Sequence, residues 1–244
     1  MVCVLDGAGL FVAARAREPW DRIASVIITG PTHPITLEDR VLLVAAHWRT
    51  NLTLRQLAPL FGVSKSAADR AIGHLGPSLT FQPCKRYRKD AVLIVGGTLD
   101  PARDHTVAEQ SKNYRYSTNH QVVIDADPRH VVAVDRPVTG NRNDCKAWEL
   151  SGAKAAVGRT TVIADGGYRG TALVIPHRRV RGRTELPAWK EEHDTSHRRI
   201  RARVEHVFAR TKAWKILRDC RLKGEGIRTA MLGIARLHNL ALAG

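Results

Sequence analysis

The sequence is poor in the features that mark several large protein classes. Its 244 residues hold four cysteines, Cys3, Cys84, Cys145 and Cys220. No two stand close enough for a CxxC pair, so neither a zinc knuckle nor a dense disulfide framework is indicated, and reduced thiols in a cytosolic compartment fit best. No apolar run approaches the roughly 18 residues of a membrane span. Residues 1–15 are mildly apolar, but they lack a basic leading region and Asp6 interrupts them, which argues against a signal peptide. Gly7-Ala-Gly9 is too short to count as a dinucleotide loop. Internal repeats and low-complexity tracts are absent as well.

Acidic residues are also in short supply. Lys and Arg number 39 against 23 Asp and Glu, which leaves a net charge of +16 and a pI near 10.5. The excess is uneven: Arg178 to Lys223 holds fifteen Lys and Arg against six Asp and Glu. So one-sided a charge calls for a polyanionic partner, nucleic acid first and an anionic membrane surface second. A length of about 150 residues per domain suggests one or two domains.

The chain divides into three stretches. Residues 1–34 form a lead-in of uncertain structure, closed off by Pro31 and Pro34. Residues 35–88 read as helices. Thr36 can cap a helix with Glu38 and Asp39 in its first turn, where the helix dipole favours acids. Leu37, Val41, Val44 and Trp48 recur along it at helical spacing. Thr53 can cap a second, short helix that Gly62 ends, with Pro59 expected to kink or shorten it. Ser64 caps a third, in which Ala68, Ile72 and Leu75 share one face. Two short helices about a glycine turn make a helix-turn-helix pattern. Its second helix exposes Lys65, Ser66, Asp69, Arg70 and His74, suited to phosphates and base edges in a major groove.

From residue 89 to 244 the pattern is α/β with a mixed sheet. Ala91–Thr98 reads as a buried strand. Gln121–Ala126 and His130–Val134 flank a turn at Asp127-Pro128. A short helix is expected over Asn143–Ser151, strands at Thr161–Asp165 and Ala172–Ile175, and helices from about His197 to Trp214 and from about Gly226 to Leu242. The segment Lys112 to His120 interleaves basic, aromatic and amide side chains. It reads as a strand-gripping loop in which Lys112, Tyr114 and Arg115 meet the nucleic acid.

Two carboxylates stand out. Asp165 ends a predicted strand beside Gly166-Gly167-Tyr168, where the sites of α/β sheets lie. Glu205 sits on the late helix next to a core stripe of Ile200, Val204, Val207 and Phe208, with Arg201 and Lys212 in its own row. Asp165 and Glu205 together form half of a metal-carboxylate site; capping by Asp165 and an Arg201–Glu205 pair are the structural alternatives. His193 and His197 are spaced four apart, but Asp194 follows the first, so the HExxH zinc motif is not met.

In combination these motifs resemble the DDE transposases of bacterial insertion sequences, in particular the insertion-sequence-five and Harbinger-like group. The resemblance runs from about residue 35 to the end. Asp165-Gly-Gly-Tyr168 matches the second acidic motif. Arg201-x3-Glu205-x6-Lys212 matches the last one, with Arg198 at its usual Tyr position. Gly140-Asn-Arg-Asn-Asp144 is similar to the segment preceding the second acid. The resemblance implies a ribonuclease H-like nuclease domain behind a small all-α helix-turn-helix module. It also implies Asp165 and Glu205 as catalytic metal ligands, two Mg²⁺ or Mn²⁺ ions, Arg201 and Lys212 on phosphates, double-stranded DNA and a homo-oligomer as partners, and a cytoplasmic, nucleoid-associated protein.

One position departs from the group. The first acid stands there in Val-Asp-Gly-Thr, and this sequence reads Val95-Gly96-Gly97-Thr98. Asp100, four residues on, lies about 13 Å away along a strand, and could serve only if the strand ended and folded back. Asp144 and Asp125 are further candidates, Asp144 being the one taken as a metal ligand. The expectation is a transposase that binds DNA but cuts poorly or not at all. The alternatives are a catalytically dead or repurposed DNA-binding protein and a helix-turn-helix regulator with an effector domain.

Overall fold

The computed structural model describes residues 35–83, 87–113, 115–178 and 186–243. The lead-in 1–34 and Tyr114 lie outside the described residues. Among the described residues three helices come first: α1 (Leu37–Thr50), α2 (Leu54–Leu60) and α3 (Lys65–Ser78). Their starts follow from local chemistry. The Thr36 hydroxyl accepts from the Asp39 N–H at 3.1 Å and the Ser64 hydroxyl from the Ala67 N–H at 3.2 Å, each satisfying one of the donors a helix start leaves free. The Gln56 side chain accepts from the Thr53 N–H at 3.1 Å. Pro59 falls in the last turn of α2, which ends one residue later, and Gly62 turns the chain at φ 60°. The helix-turn-helix reading of this stretch is thus met, with α3 running three residues past Leu75.

A six-stranded mixed sheet follows, made of β1 (Val92–Pro101), β2 (Glu109–Gln110), β3 (Tyr116–Asp125), β4 (Val131–Val134), β5 (Val138–Thr139) and β6 (Thr161–Ile163). β1 pairs antiparallel with β3 over its whole length, from Leu93 opposite Asp125 to Pro101 opposite Ser117, and parallel with β6. β2, β5 and β4 pair with successive stretches of β3. The helices of this part are α4 (Asp144–Leu150), α5 (Ala153–Val157), α6 (Ala188–Lys212) and α7 (Gly226–Ala243), with a single 3₁₀ turn at Lys215–Leu217. An antiparallel set joined in parallel to a later strand, with helices on both faces, is the ribonuclease H-like arrangement expected of the chain.

Side chains alternate across β1. Ile94, with Val122 and Ile124 of β3, packs against Val204, Val207 and Phe208 of α6. Leu93 and Val95 pack on the other side against Trp148 and Tyr168. The helical head shares the first of these cores. Trp48 of α1, 1% exposed, lies in the same cluster as Ile227, Met231 and Ile234 of α7. Gly233 makes this possible, since a Cβ there would run into the Trp48 ring.

Three expectations are corrected. Tyr116 to His120 is not a loop but half of β3, with Ser117 to His120 buried; Lys112, Asn113 and Arg115 lie between the strands. The strand predicted at Ala172–Ile175 shrinks to one bridge between Val174 and Ile163. α6 begins at Ala188, nine residues before the predicted start, because its first turns carry no apolar stripe to betray them. As expected, the chain does not fold back to bring Asp100 to Gly96: β1 runs on through Asp100 to Pro101.

Candidate active site

Asp165, just past the end of β6, stands between the residues singled out on α4 and α6. Arg201 is the hinge of the arrangement. Its guanidinium lies 2.8 Å from a Glu205 oxygen and 3.9 Å from an Asp165 oxygen. The two acids, 40 residues apart in sequence, therefore flank one cation. Both remain open to solvent, with side chains 43% exposed for Asp165 and 53% for Glu205.

Asp144 joins them from the other side. It opens α4, whose N-cap Asn143 accepts from the Lys146 N–H at 2.9 Å. Its carboxylate lies over Gly97 of β1, where a Cβ would coincide with it. A Cβ on Gly167 would come 2.8 Å from an Asp165 oxygen and 3.7 Å from an Asp144 oxygen, so these two acids border the same glycine. Glycine is needed at both positions because side chains would fill the space the carboxylates use.

A chain of hydrogen bonds fixes Asp144. The buried Tyr168 hydroxyl donates to Gln121 at 2.6 Å, the Gln121 amide donates to Asn119 at 2.9 Å, and the Asn119 amide donates to Asp144 at 3.0 Å. Burial, and then the nearby Asp144 and Asp165, push the Tyr168 hydroxyl far up, so it stays a donor. The turn carrying Asp165 is pinned in turn. Asp165 accepts from the Gly167 N–H at 2.7 Å, and the Cys145 thiol of α4 donates to the carbonyls of Gly167 and Arg169. Burial, with Asp144 and Glu149 next, raises that thiol and keeps its proton in place.

Gly96 faces the opposite way. A Cβ there would lie 2.7 Å from Phe208 and 3.4 Å from Val204, in the packing between sheet and α6. Asp100 shares that face and is wholly buried, with neither oxygen hydrogen-bonded. Burial pushes its carboxyl up to about 8, opposed by the charge of Lys212. His120, 3.9 Å away, is pushed down to about 3 by burial. Both are neutral near pH 7, and a protonated, enclosed carboxyl is no ligand for a cation. Asp125 ends β3 at the turn before β4, where it accepts from the Asp127 N–H, and takes no part in the cluster.

The DNA-reading candidates are accessible. Lys65, Ser66 and Arg70 are exposed on α3, and Lys112 and Arg115 on the turn between β2 and β3. Lys212, exposed, is the last residue of α6. Asn119, Gln121 and Cys145 went unrecognised in the sequence. The polar run Ser117-Thr-Asn-His-Gln121 was the available signal, since five polar residues with their side chains buried in a strand demand partners.

Residues 87–240 match the family described as Transposase DDE domain, and residues 33–84 the family described as Helix-turn-helix of DDE superfamily endonuclease. A protein of Streptomyces albus G named as a transposase for insertion sequence element IS112 is 74% identical over 221 residues, which is 91% of this chain and 86% of that protein. A second, from Microchaete diplosiphon and named as a transposase for insertion sequence element IS702, is 24% identical over 236 residues, 88% of this chain and 84% of that protein.

Proposed function

The chain belongs to the DDE transposases, DNA-binding proteins that work with divalent metal ions, and we propose that it moves an insertion sequence with an acid set of Asp144, Asp165 and Glu205. In this reading Asp144 serves in place of the strand acid that Gly96 lacks, and strand cleavage is correspondingly slow. The observation that carries it is the central place of Asp165, which shares Arg201 with Glu205 and borders Gly167 together with Asp144.

The donor set fits the metal. Three carboxylates and no nitrogen or sulfur suit a hard divalent cation such as Mg²⁺ or Mn²⁺. Gly97 and Gly167, having no side chains, give the Asp144 and Asp165 carboxylates room to lie against the strand and the turn. When bound, such ions activate the attacking oxygen and stabilise the leaving one. The chain's own residues do the rest. Asn119 holds Asp144, and Cys145 holds the Asp165 turn to α4. Arg201 neutralises Asp165 and Glu205 against each other and, with Lys212, offers a cation to phosphate. Lys65, Ser66 and Arg70 read the duplex from α3, while Lys112 and Arg115 grip its backbone. Two element ends must be held together for transfer, so the working form is a homo-oligomer on DNA.

A second reading, a protein that binds ends without cutting them, is favoured by Gly96 itself and by Phe208 filling the place beside it. Nicking of the element's terminal DNA in Mg²⁺ or Mn²⁺ separates the two. The protein is expected to nick slowly, to lose that activity in Asp144→Asn, and to gain none in Gly96→Asp, whose side chain enters the packing of Phe208 and Val204. An inert protein restored only by Gly96→Asp would establish the second reading instead.

A further inference from the structure

A second cluster of ligating side chains lies on the first half of α6, apart from the acidic site. The sequence directs attention to His193 and His197, yet these two do not pair. His197 is buried, with Nε2 at 3.1 Å from the Val174 carbonyl. The partner is His177, which follows the bridge to β6. Its Nδ1 lies 3.1 Å from Asp194 Oδ1, and His193 Nδ1 lies 3.3 Å from the same oxygen. One ligand atom from each of His177, His193 and Asp194 lies within 4.8 Å of the others.

We propose that His177, His193 and Asp194 form a binding site for a transition-metal cation of the Zn²⁺ class. Zinc bonds to nitrogen and oxygen of about 2.0–2.2 Å at tetrahedral angles separate two ligand atoms by about 3.3–3.5 Å. The 3.1 and 3.3 Å separations sit close to that value, and the two imidazole nitrogens lie within 4.8 Å of each other, so a cation enters by drawing the two rings together. The two imidazoles stand edge to face, centroids 4.7 Å apart, each turning its Nδ1 to the same oxygen. Asp194 is preorganised, since Oδ1 also accepts from the His177 N–H at 2.9 Å. The Trp189 ring meets His177 edge to face at 5.3 Å and walls one side. The three residues are half-buried, which leaves a fourth position open to water.

Two imidazoles and one carboxylate select against Mg²⁺, which prefers oxygen alone. This site and the acidic site therefore take different metals from one solution. The bound ion would fasten the chain after β6, which descends from the Asp165 turn, to α6, which carries Arg201 and Glu205 two to three turns further along. The inference stands independently of the proposed acid set.

The test is titration of the metal-stripped full chain with Co²⁺ and then Zn²⁺ in excess Mg²⁺. One equivalent of Co²⁺ is expected to give the visible absorption of a low-coordinate nitrogen–oxygen site, which Zn²⁺ then bleaches. His177→Ala and His193→Ala should each weaken binding about tenfold or more, an effect at least as large as loss of a group that only orients a ligand. Glu205→Gln should leave it unchanged. A second measurement needs no variant: Zn²⁺ should protect His177 and His193 from acylation by diethyl pyrocarbonate, read by mass spectrometry. No binding, binding that survives both histidine variants, or binding lost in Glu205→Gln overturns the proposal, as does unprotected modification of both histidines in Zn²⁺.

Discussion

Gly96 and Gly97 are neighbours on one strand and look out on opposite worlds. From Gly96 the next atoms are the Phe208 ring and Val204, packed under α6; from Gly97 they are the Asp144 carboxylate and the Gln121 amide. Asp100, on the Gly96 face, is enclosed and keeps its proton to about 8. Asp144, on the Gly97 face, is half-buried and held by a hydrogen-bonded chain that ends in Tyr168. Asp100 is shut in and Asp144 is not, and that difference, rather than closeness in sequence to the vacant acid position, separates the two as candidates for holding a cation.

The sharpest way to break this comparison is to put one methyl on each glycine. Gly97→Ala drives a Cβ into Asp144, and nicking is expected to fall at least ~10²-fold, the scale of losing a preorganised electrostatic contact. Gly96→Ala pushes on Phe208 instead. It should cost about 1–3 kcal/mol of stability as overpacking while leaving nicking within a few-fold. Equal losses of activity in the two variants would mean that the faces are not distinct.

Asp100 sharpens the contrast through pH. Unfolded, it releases its proton near 3.8; folded, only near 8. Between those values unfolding releases a proton, so stability declines as pH rises through that window. Asp100→Asn should remove the decline, and its stability gap over the parent, followed by melting at each pH, should widen from pH 5 to pH 8 to on the order of a few kcal/mol. His120 acts in the opposite sense: its folded value near 3 lies below the ordinary 6.5, so stability falls as pH drops from 6.5 toward 3, in the variant as in the parent. A gap constant with pH would show Asp100 to be charged in the fold. The smallest effect belongs to the head: Lys65→Ala or Arg70→Ala should weaken DNA binding a few-fold and lower the salt dependence by about one counterion each, with nicking of saturated DNA unchanged.

What could be read in the sequence was what local chemistry decides. The starts at Thr36, Ser64 and Asn143 depend on side chains within three residues of the N–H groups they cap. The core stripe Val204–Val207–Phe208 follows from helical spacing, and with it the position of Glu205 beside Arg201. What stayed hidden depends on contacts far apart in the chain. The polar half of β3 looks like a loop until Asn119 and Gln121 find Asp144 and Tyr168, 25 and 47 residues on. The first turns of α6 look like solvated chain until His177 meets Asp194. The side from which Asp144 reaches β1 is set by the alternation of that strand, and a glycine pair with no side chains gives no hint of it.

The central claim is that Asp144 completes the acid set, and its most direct test is Mn²⁺-dependent nicking of terminal DNA by the unaltered protein and by Asp144→Asn, with Glu205→Gln as the baseline. The account predicts slow nicking by the unaltered chain and a fall to the Glu205→Gln level in Asp144→Asn, with the fold and DNA affinity retained. Nicking by Asp144→Asn at the unaltered rate would contradict it.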